Sequence, residues 1–161
     1  MTKNILYSTI LYEEVIATKS YGGFLMSQIR HLSGRFFERL LKESGVDVFN
    51  GAQGRILYVL WEHGQLTITE IGRLTSLAKT TLTSMLDRME TGGLIKRIPD
   101  KKNRRQIFIS VTEKTKEYRE KYDGISDRMS EIFYSGFTEA EVTDFENQLR
   151  KIIKNLENEG V

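Results

Sequence analysis

The stretch that decides the fold is LAKTTLTSMLDR, residues 77–88. Its apolar residues recur at helical spacing, and between them stand four residues that carry hydroxyls: Thr80, Thr81, Thr83 and Ser84. Thr and Ser are mediocre helix formers, because their hydroxyls compete for backbone hydrogen bonds and Thr is stiff at χ1. So many hydroxyls in one short helix therefore indicate a functional role.

Helical geometry separates the apolar side chains of this stretch from its hydroxyls. At about 100° per residue, Leu82, Leu86 and Met89 fall on one side of the helix. The opposite side carries Thr80, Thr83, Ser84 and Asp87, with Thr81 and Arg88 at its edge. Short hydroxylated side chains let a helix approach DNA closely, and their oxygens bond phosphates or base edges. Glu, Lys and Gln would suit a merely solvated face better, so the pattern favours a binding surface.

A shorter helix and a turn precede this stretch. Thr67 and Glu70 are spaced as a capping box that opens the helix ITEIGRL, and Thr75-Ser76 breaks it. Gly92-Gly93 ends the second helix. A helix–turn–helix has this order, because its second helix buries one side and offers the other to the DNA major groove.

Beyond Gly93 the hydrophobic period changes from helical to alternating. IKRIP (95–99) and QIFISV (106–111) predict a two-stranded hairpin, and DKKNRR (100–105) predicts its turn. Four cations stand at the tip, namely Lys101, Lys102, Arg104 and Arg105. Alone, such a tip is usually a solvated turn. Directly after a helix–turn–helix it predicts a wing, whose arginines can enter a narrow minor groove.

Charge is unevenly distributed along the chain. The 161 residues carry a net charge of only +2, but residues 73–105 contain nine cations and three anions. Positive charge gathered on a near-neutral protein is typical of a surface that binds a polyanion, although a charge run is more often only solvated.

Composition excludes several classes of function. The chain has no cysteine, which rules out disulfides, thiolate metal sites and cysteine redox sensing. His31 and His63 are its only histidines, so neither a metal nor another cofactor is predicted. No nucleotide-binding loop, nucleophile elbow or paired metal-binding histidine motif is present, which argues against an enzyme.

No apolar run approaches the roughly 20 residues that a membrane span needs, and the start MTKNILYSTILYEE lacks the pattern of a signal peptide. We therefore expect a cytoplasmic protein without a membrane partner.

Further helices are predicted on both sides of this unit. Residues 5–20 favour a short helix, residues 24–45 a longer one, and Asn50 with Gln53 opens another through a capping box. Thr112 is predicted to start a long helix, and a capping box of Thr138 and Glu141 a second. Heptad seams at 118–132 and 142–156 predict packing against a second copy, within the chain, or both.

The chain resembles the MarR-type (multiple antibiotic resistance) winged-helix transcription regulators from about Phe24 to Leu156. The best matching stretches are GAQGRILYVLWEHGQLTITEIGRLTSLAKTTLTSMLDRMETGGLIKR (51–97) and DKKNRRQIFISVTEK (100–114). The resemblance implies that Arg105 enters the minor groove and that Arg104 supports it or contacts the backbone. Asn103 stands where the family usually has an acid.

The resemblance also implies the architecture. We expect a mainly α protein with a small β-hairpin wing. Residues 1–48 would hold the N-terminal segment and first dimerisation helix, 49–116 the winged helix–turn–helix domain, and 117–161 the C-terminal dimerisation helices. The implied function is that of a homodimeric repressor on a pseudo-palindromic operator in double-stranded DNA. Lys79 and Arg88 would contact phosphates. The alternative is a winged helix used as a protein-interaction module without sequence-specific DNA binding.

Members of the family often release DNA when they bind a small phenolic or anionic ligand. The resemblance places such a pocket between the dimerisation helices and the winged helix. Candidate lining residues are Phe24, His31, Arg35, Phe36, Tyr58 and Trp61. His31 and Arg35 lie four residues apart, so they can share a helix face and receive an anion. The alternative is that the aromatic residues belong to the core and that His31 and Arg35 are ordinary surface residues.

Overall fold

The fold is helical with one small sheet, as predicted. A computed structural model describes residues 20–103 and 105–160. In chain order the elements are α1 (Gly22–Glu43), α2 (Gly51–His63), β1 (Leu66–Thr67), α3 (Ile68–Thr75), α4 (Lys79–Thr91), β2 (Ile95–Pro99), β3 (Ile107–Val111), a 3-10 turn (Glu113–Thr115), α5 (Lys116–Phe133) and α6 (Glu139–Asn158). The helix predicted from residue 5 falls almost wholly outside the described residues, and so does Arg104.

Three helices begin with the capping boxes that the sequence predicts. In each, the N-cap side chain accepts a hydrogen bond from the backbone N–H three residues on, and that residue's side chain accepts from the N-cap backbone. The pairs are Asn50 with Gln53, Thr67 with Glu70, and Thr138 with Glu141. Hydrogen bonds from Thr67 lower the pKa of Glu70, and those from Thr138 lower the pKa of Glu141. Both caps are therefore fully formed at neutral pH and weaken on acidification.

One hydrophobic core joins the winged helix to the long helices. The predicted apolar side of α4 is confirmed, because Leu82, Leu86 and Met89 are all buried. They belong to the same cluster as Ile56, Leu57 and Leu60 of α2, Ile71 of α3, Leu41 of α1, and Tyr122 and Ile125 of α5. Residues from all three predicted segments thus share this core.

The wing hairpin is confirmed, and a third strand extends it. β2 pairs antiparallel with β3 from Ile95↔Val111 to Pro99↔Ile107, and β1 lies on the other side of β3. At two residues, β1 is too short to show an alternating pattern in the sequence.

The predicted start of the long helix at Thr112 is wrong. The backbone N–H of Thr112 donates to the carbonyl of Leu94 (3.1 Å), and its hydroxyl donates to the carbonyl of Gly93 (2.6 Å). These two bonds hold Thr112 against the sheet. A 3-10 turn follows, and α5 begins only at Lys116.

Tyr122 of α5 is the centre of an aromatic junction with α1 and α2. Its ring centroid lies 5.5 Å from Phe37, 6.1 Å from Tyr58 and 5.6 Å from Trp61. Gly54 of α2 makes this approach possible, because a Cβ added there would lie 2.6 Å from Cε2 of Tyr122. The contact between α2 and α5 therefore depends on the absence of a side chain at residue 54.

We expect Gly54→Ala to lower the free energy of unfolding by about 1–3 kcal/mol, because the new methyl group overpacks the Tyr122 ring. Chemical denaturation followed by circular dichroism measures this change. Gly124→Ala on α5 is the matched control, since a Cβ there meets no atom within 4 Å. It should stabilise the protein by about 0.5–1 kcal/mol through helix propensity. Equal stability of Gly54→Ala and wild type would contradict the close approach.

Candidate nucleic-acid interface

The polar side of α4 is turned outward, as the helical geometry predicts. Thr80, Thr81 and Ser84 are exposed and Thr83 is half-buried. Lys79 and Arg88, which flank these hydroxyls along the helix, are also exposed. The burial of the opposite side fixes this orientation, so the hydroxyls form a surface that the rest of the described chain leaves accessible.

The four hydroxyls differ in what they can still bond. The Thr83 hydroxyl donates to the carbonyl of Lys79 (2.9 Å), so its oxygen remains mainly an acceptor. Arg88 lies back along the helix, with Nε donating to the Ser84 carbonyl (3.2 Å) and Nη2 to the Ser84 hydroxyl oxygen (3.4 Å). No hydrogen bond to a described residue involves the hydroxyls of Thr80 and Thr81. The hydroxyls of Thr80, Thr81 and Ser84 therefore keep their protons free to donate, and those of Thr80 and Thr81 are also free to accept.

Side-chain hydrogen bonds shape the turn of the wing. The backbone N–H of Lys102 donates to Oδ1 of Asp100 (2.8 Å), and that of Arg105 donates to Oδ1 of Asn103 (3.2 Å). The N–H of Gln106 closes the turn on the carbonyl of Asn103 (2.8 Å). Asn103, at the position where the family usually has an acid, thus orders the backbone at Arg105. The side chains of the tip cations among the described residues are exposed.

A cleft of about 610 Å³ joins α4 to the wing. Its walls include Thr69 and Arg73 of α3, Lys79 and Thr83 of α4, and Arg105 of the wing. Within the described residues, none of these three cations forms an ion pair. The sequence-predicted helix and wing residues thus meet on one basic surface. Hydroxyls and unpaired cations lining a cleft are suited to the sugar-phosphate backbone of a nucleic acid.

Arg97 is a residue of this region that the sequence analysis missed. It extends from β2 to α4, where Nη2 lies 2.6 Å from Oδ1 of Asp87 and Nη1 contacts Oε2 of Glu90. Burial disfavours its charge, but the hydrogen bonds to Asp87 and Glu90 outweigh burial and raise the pKa of Arg97. In the sequence Arg97 is only one of nine cations, because no spacing rule reveals that β2 runs beside α4.

The predicted ligand residues are dispersed. Arg35 lines a cleft of about 560 Å³ between α1, α2 and α5, whereas Phe36 lines a separate apolar groove with α5 and α6 residues. Tyr58 and Trp61 pack against Tyr122, as the alternative reading expects of aromatic residues. The remaining two are exposed residues of α1: Phe24, and His31, whose Nδ1 lies 2.7 Å from the Ser27 carbonyl oxygen. The ligand role of all six stays a prediction.

Across residues 20–103 and 105–160, no group of three or more His, Asp and Glu residues comes together in a way that would hold a metal ion. No helix in the same ranges is long and apolar enough to cross a membrane.

Comparison with known proteins identifies the group to which these features belong. Residues 49–107 match the model of the MarR family. The HTH-type transcriptional repressor IacR of Pseudomonas putida is 28% identical over 132 residues, which are 80% of this chain and 77% of that protein. The predicted resemblance to MarR-type winged-helix regulators is therefore confirmed, and the family model matches it over residues 49–107.

Solved structures extend the similarity in fold to the long helices. The structure of reduced AbfR bound to DNA has a TM-score of 0.65 and 27% identity, covering 90% of this chain and 98% of that chain. Bordetella bronchiseptica BpsR, whose structure concerns regulation of DNA binding by 6-hydroxynicotinic acid, has a TM-score of 0.72 and 18% identity. That match covers 81% of this chain and 91% of BpsR.

The similarity to MarR-type regulators decides between the classes of function that the sequence left open. It supports a DNA-binding transcription regulator and not an enzyme. The surface formed by α4, the wing and the cleft between them is the part of the described chain whose chemistry suits DNA.

Proposed function

We propose that the protein is a homodimeric repressor that binds a pseudo-palindromic operator in the cytoplasm and releases it when a small aromatic or anionic ligand binds. The observation that carries this proposal is the outward hydroxyl side of α4 next to the unpaired cations of the wing cleft. IacR is named as a repressor, which supports repression over activation in this proposal.

In this proposal α4 is the recognition helix and lies in the major groove. Thr80 and Thr81 donate to base edges or phosphates, and Thr83 and Ser84 lie beside them. Lys79 and Arg88 contact phosphates at the groove edges. The wing places Arg105 in the adjacent minor groove, while Lys101, Lys102 and Arg104 add electrostatic attraction.

We expect Arg105→Ala to weaken binding to duplex DNA from the region upstream of the protein's own gene by roughly tenfold, and to reduce the salt slope of log K by about one. Fluorescence anisotropy across a salt series measures both. Arg128→Ala is the control, because it removes the same charge from an exposed side chain of α5. Unchanged affinity together with an unchanged slope would remove Arg105 from the interface.

Exposed apolar side chains on the long helices support a dimer. α6 has no buried residue in the described chain, and Ile153 and Leu156 on it are 54% and 57% exposed. Leu25 and Leu32 of α1 are similarly open to solvent. Large contiguous apolar patches are rare on monomers, so a second copy covering them would remove an otherwise unfavourable surface. Paired recognition helices would then stand about 34 Å apart, one turn of DNA.

We expect wild type to have a solution mass near twice the 18.6 kDa of one chain, and Leu156→Glu to shift it towards one chain because a carboxylate cannot be buried unpaired. Light scattering after size exclusion measures the mass. Lys151→Glu, on the opposite side of α6, introduces the same charge and should leave the mass unchanged. A wild-type monomer at micromolar concentration would refute the dimer.

The cleft at Arg35 supports an anionic ligand. Arg30, Arg35 and Arg55 line it, and none of the three is ion-paired within the described residues. One carboxylate, Glu38, also lines the cleft, and its Oε1 accepts from the backbone N–H of Gly51 (2.8 Å). Phe37 and Tyr122 supply an apolar wall. Burial raises the pKa of Tyr122 to about 12, despite the opposing charge of Arg55, so its hydroxyl keeps its proton at neutral pH. Guanidinium groups beside aromatic rings suit an aromatic carboxylate. The BpsR structure, which concerns an aromatic acid, supports this ligand class.

We expect benzoate and related small aromatic acids to raise the melting temperature, since a ligand that binds only the folded state stabilises it, and to weaken binding to the upstream duplex. Uncharged benzamide should do neither. Arg35→Ala should abolish the thermal shift, whereas Arg39→Ala should retain it, because Arg39 instead stacks on Phe36 and pairs with Glu43. A shift that survives Arg35→Ala would place the ligand elsewhere.

A further inference from the structure

Arg97 joins the edge strand of the wing to the recognition helix. We propose that Arg97 is a positioning residue for DNA binding, which fixes β2 against α4 and neutralises Asp87 and Glu90 next to the DNA-facing surface. This inference rests on the DNA-binding role of α4 and the wing. It assigns a function to a side chain that itself lies behind that surface.

The geometry fixes the strand as well as its side chain. β2 lies at the edge of the sheet, with β3 as its only neighbouring strand among the described residues. Its outer edge is closed by Glu90, whose Oε1 accepts from the backbone N–H of Arg97 (3.2 Å) while its Oε2 contacts Nη1 of the same residue. Asp87 holds Nη2 at 2.6 Å. The wing turn begins at Asp100, three residues later, so this contact determines where the tip emerges.

Asp87 would work against DNA binding if it were unpaired. On the outer side of α4, Asp87 lines a groove together with Lys79, Thr80, Ser84 and Arg88. Its side chain is 60% exposed, so its charge acts on anything that occupies the groove. Within α4 the two cations Lys79 and Arg88 are matched by Asp87 and Glu90. Arg97 therefore supplies the charge that leaves this part of the surface positive, which is what a polyanion requires.

Burial argues that the role is not mainly one of stability. The side chains of Asp87 and Glu90 are 60% and 38% exposed, and that of Arg97 is 24% exposed. Ion pairs this close to solvent usually contribute little to folding. We therefore expect the loss of Arg97 to affect DNA affinity much more than thermal stability.

The test measures binding of Arg97 variants to two duplexes, one from the region upstream of the gene and one of random sequence, at low salt. Arg97→Ala should weaken binding to both by about tenfold, because it releases two carboxylates and the wing strand together. Arg97→Lys should fall between Arg97→Ala and wild type, because one ammonium group cannot hold both carboxylates in the geometry of a guanidinium.

A triple variant separates neutralisation from structure. Adding Asp87→Asn and Glu90→Gln to Arg97→Ala removes the released charges, and we expect recovery of about threefold or more of the lost affinity at low salt, shrinking as salt screens the carboxylates. Arg119→Ala is the matched control. It removes an arginine that likewise joins two elements, through Glu62 (2.7 Å) and the Trp61 carbonyl (3.2 Å). Its DNA affinity should stay near that of wild type.

Thermal unfolding of every variant completes the test. Wild-type affinity in Arg97→Ala would overturn the proposal. An Arg97→Ala loss that the triple variant does not recover would refute neutralisation, and a loss matched by a large fall in melting temperature would refute the positioning role in favour of a structural one. Failure of wild type to bind either duplex would instead count against the proposed function.

Discussion

The burial of Leu82, Leu86 and Met89 fixes the rotation of α4, and the outward placement of its hydroxyls depends on that rotation. Because these three side chains lie inside the core, the residues on the opposite side of the helix must face solvent. Rotating the helix by one residue, about 100°, would bury hydroxyls and expose leucine. The orientation of the proposed DNA-binding surface thus follows from the packing of the buried side of α4. The same packing stabilises a helix in which several residues have low helix propensity.

A second packing contact links that core to the long helices. Tyr122 fills the space left by Gly54 and also forms part of the wall of the Arg35 cleft. Its neighbour Trp61 donates from Nε1 to the hydroxyl of buried Thr115 (3.4 Å), at the base of the wing sheet. A ligand shifts an equilibrium only if it interacts differently with two arrangements. In the proposed regulation, a ligand in the Arg35 cleft would change the packing of Tyr122, and that change would pass to the winged helix.

Local signals in the sequence were sufficient for most of the fold. Each of these signals involves residues within one element, so its spacing can be recognised in the sequence without knowledge of the tertiary structure. They are the capping boxes at Asn50, Thr67 and Thr138, the apolar stripe of α4 and the alternation of β3. Contacts between distant elements were not predictable in this way. Which elements lie side by side determines the two partners of Arg97, the existence of the two-residue β1 and the grouping of Arg35 with Arg30 and Arg55.

The distribution of partners explains how a chain with a net charge of only +2 can present a surface suited to DNA. Near that surface the acids are occupied: Asp87 and Glu90 hold Arg97, and Glu70 caps α3 through Thr67. The cations Arg73, Lys79 and Arg105 remain unpaired within the described residues. A phosphate approaching the cleft therefore meets positive groups that form no ion pair with a described carboxylate. Pairing of Asp87 and Glu90 with Arg97, more than the total number of cations, sets the sign of the field on the outer side of α4.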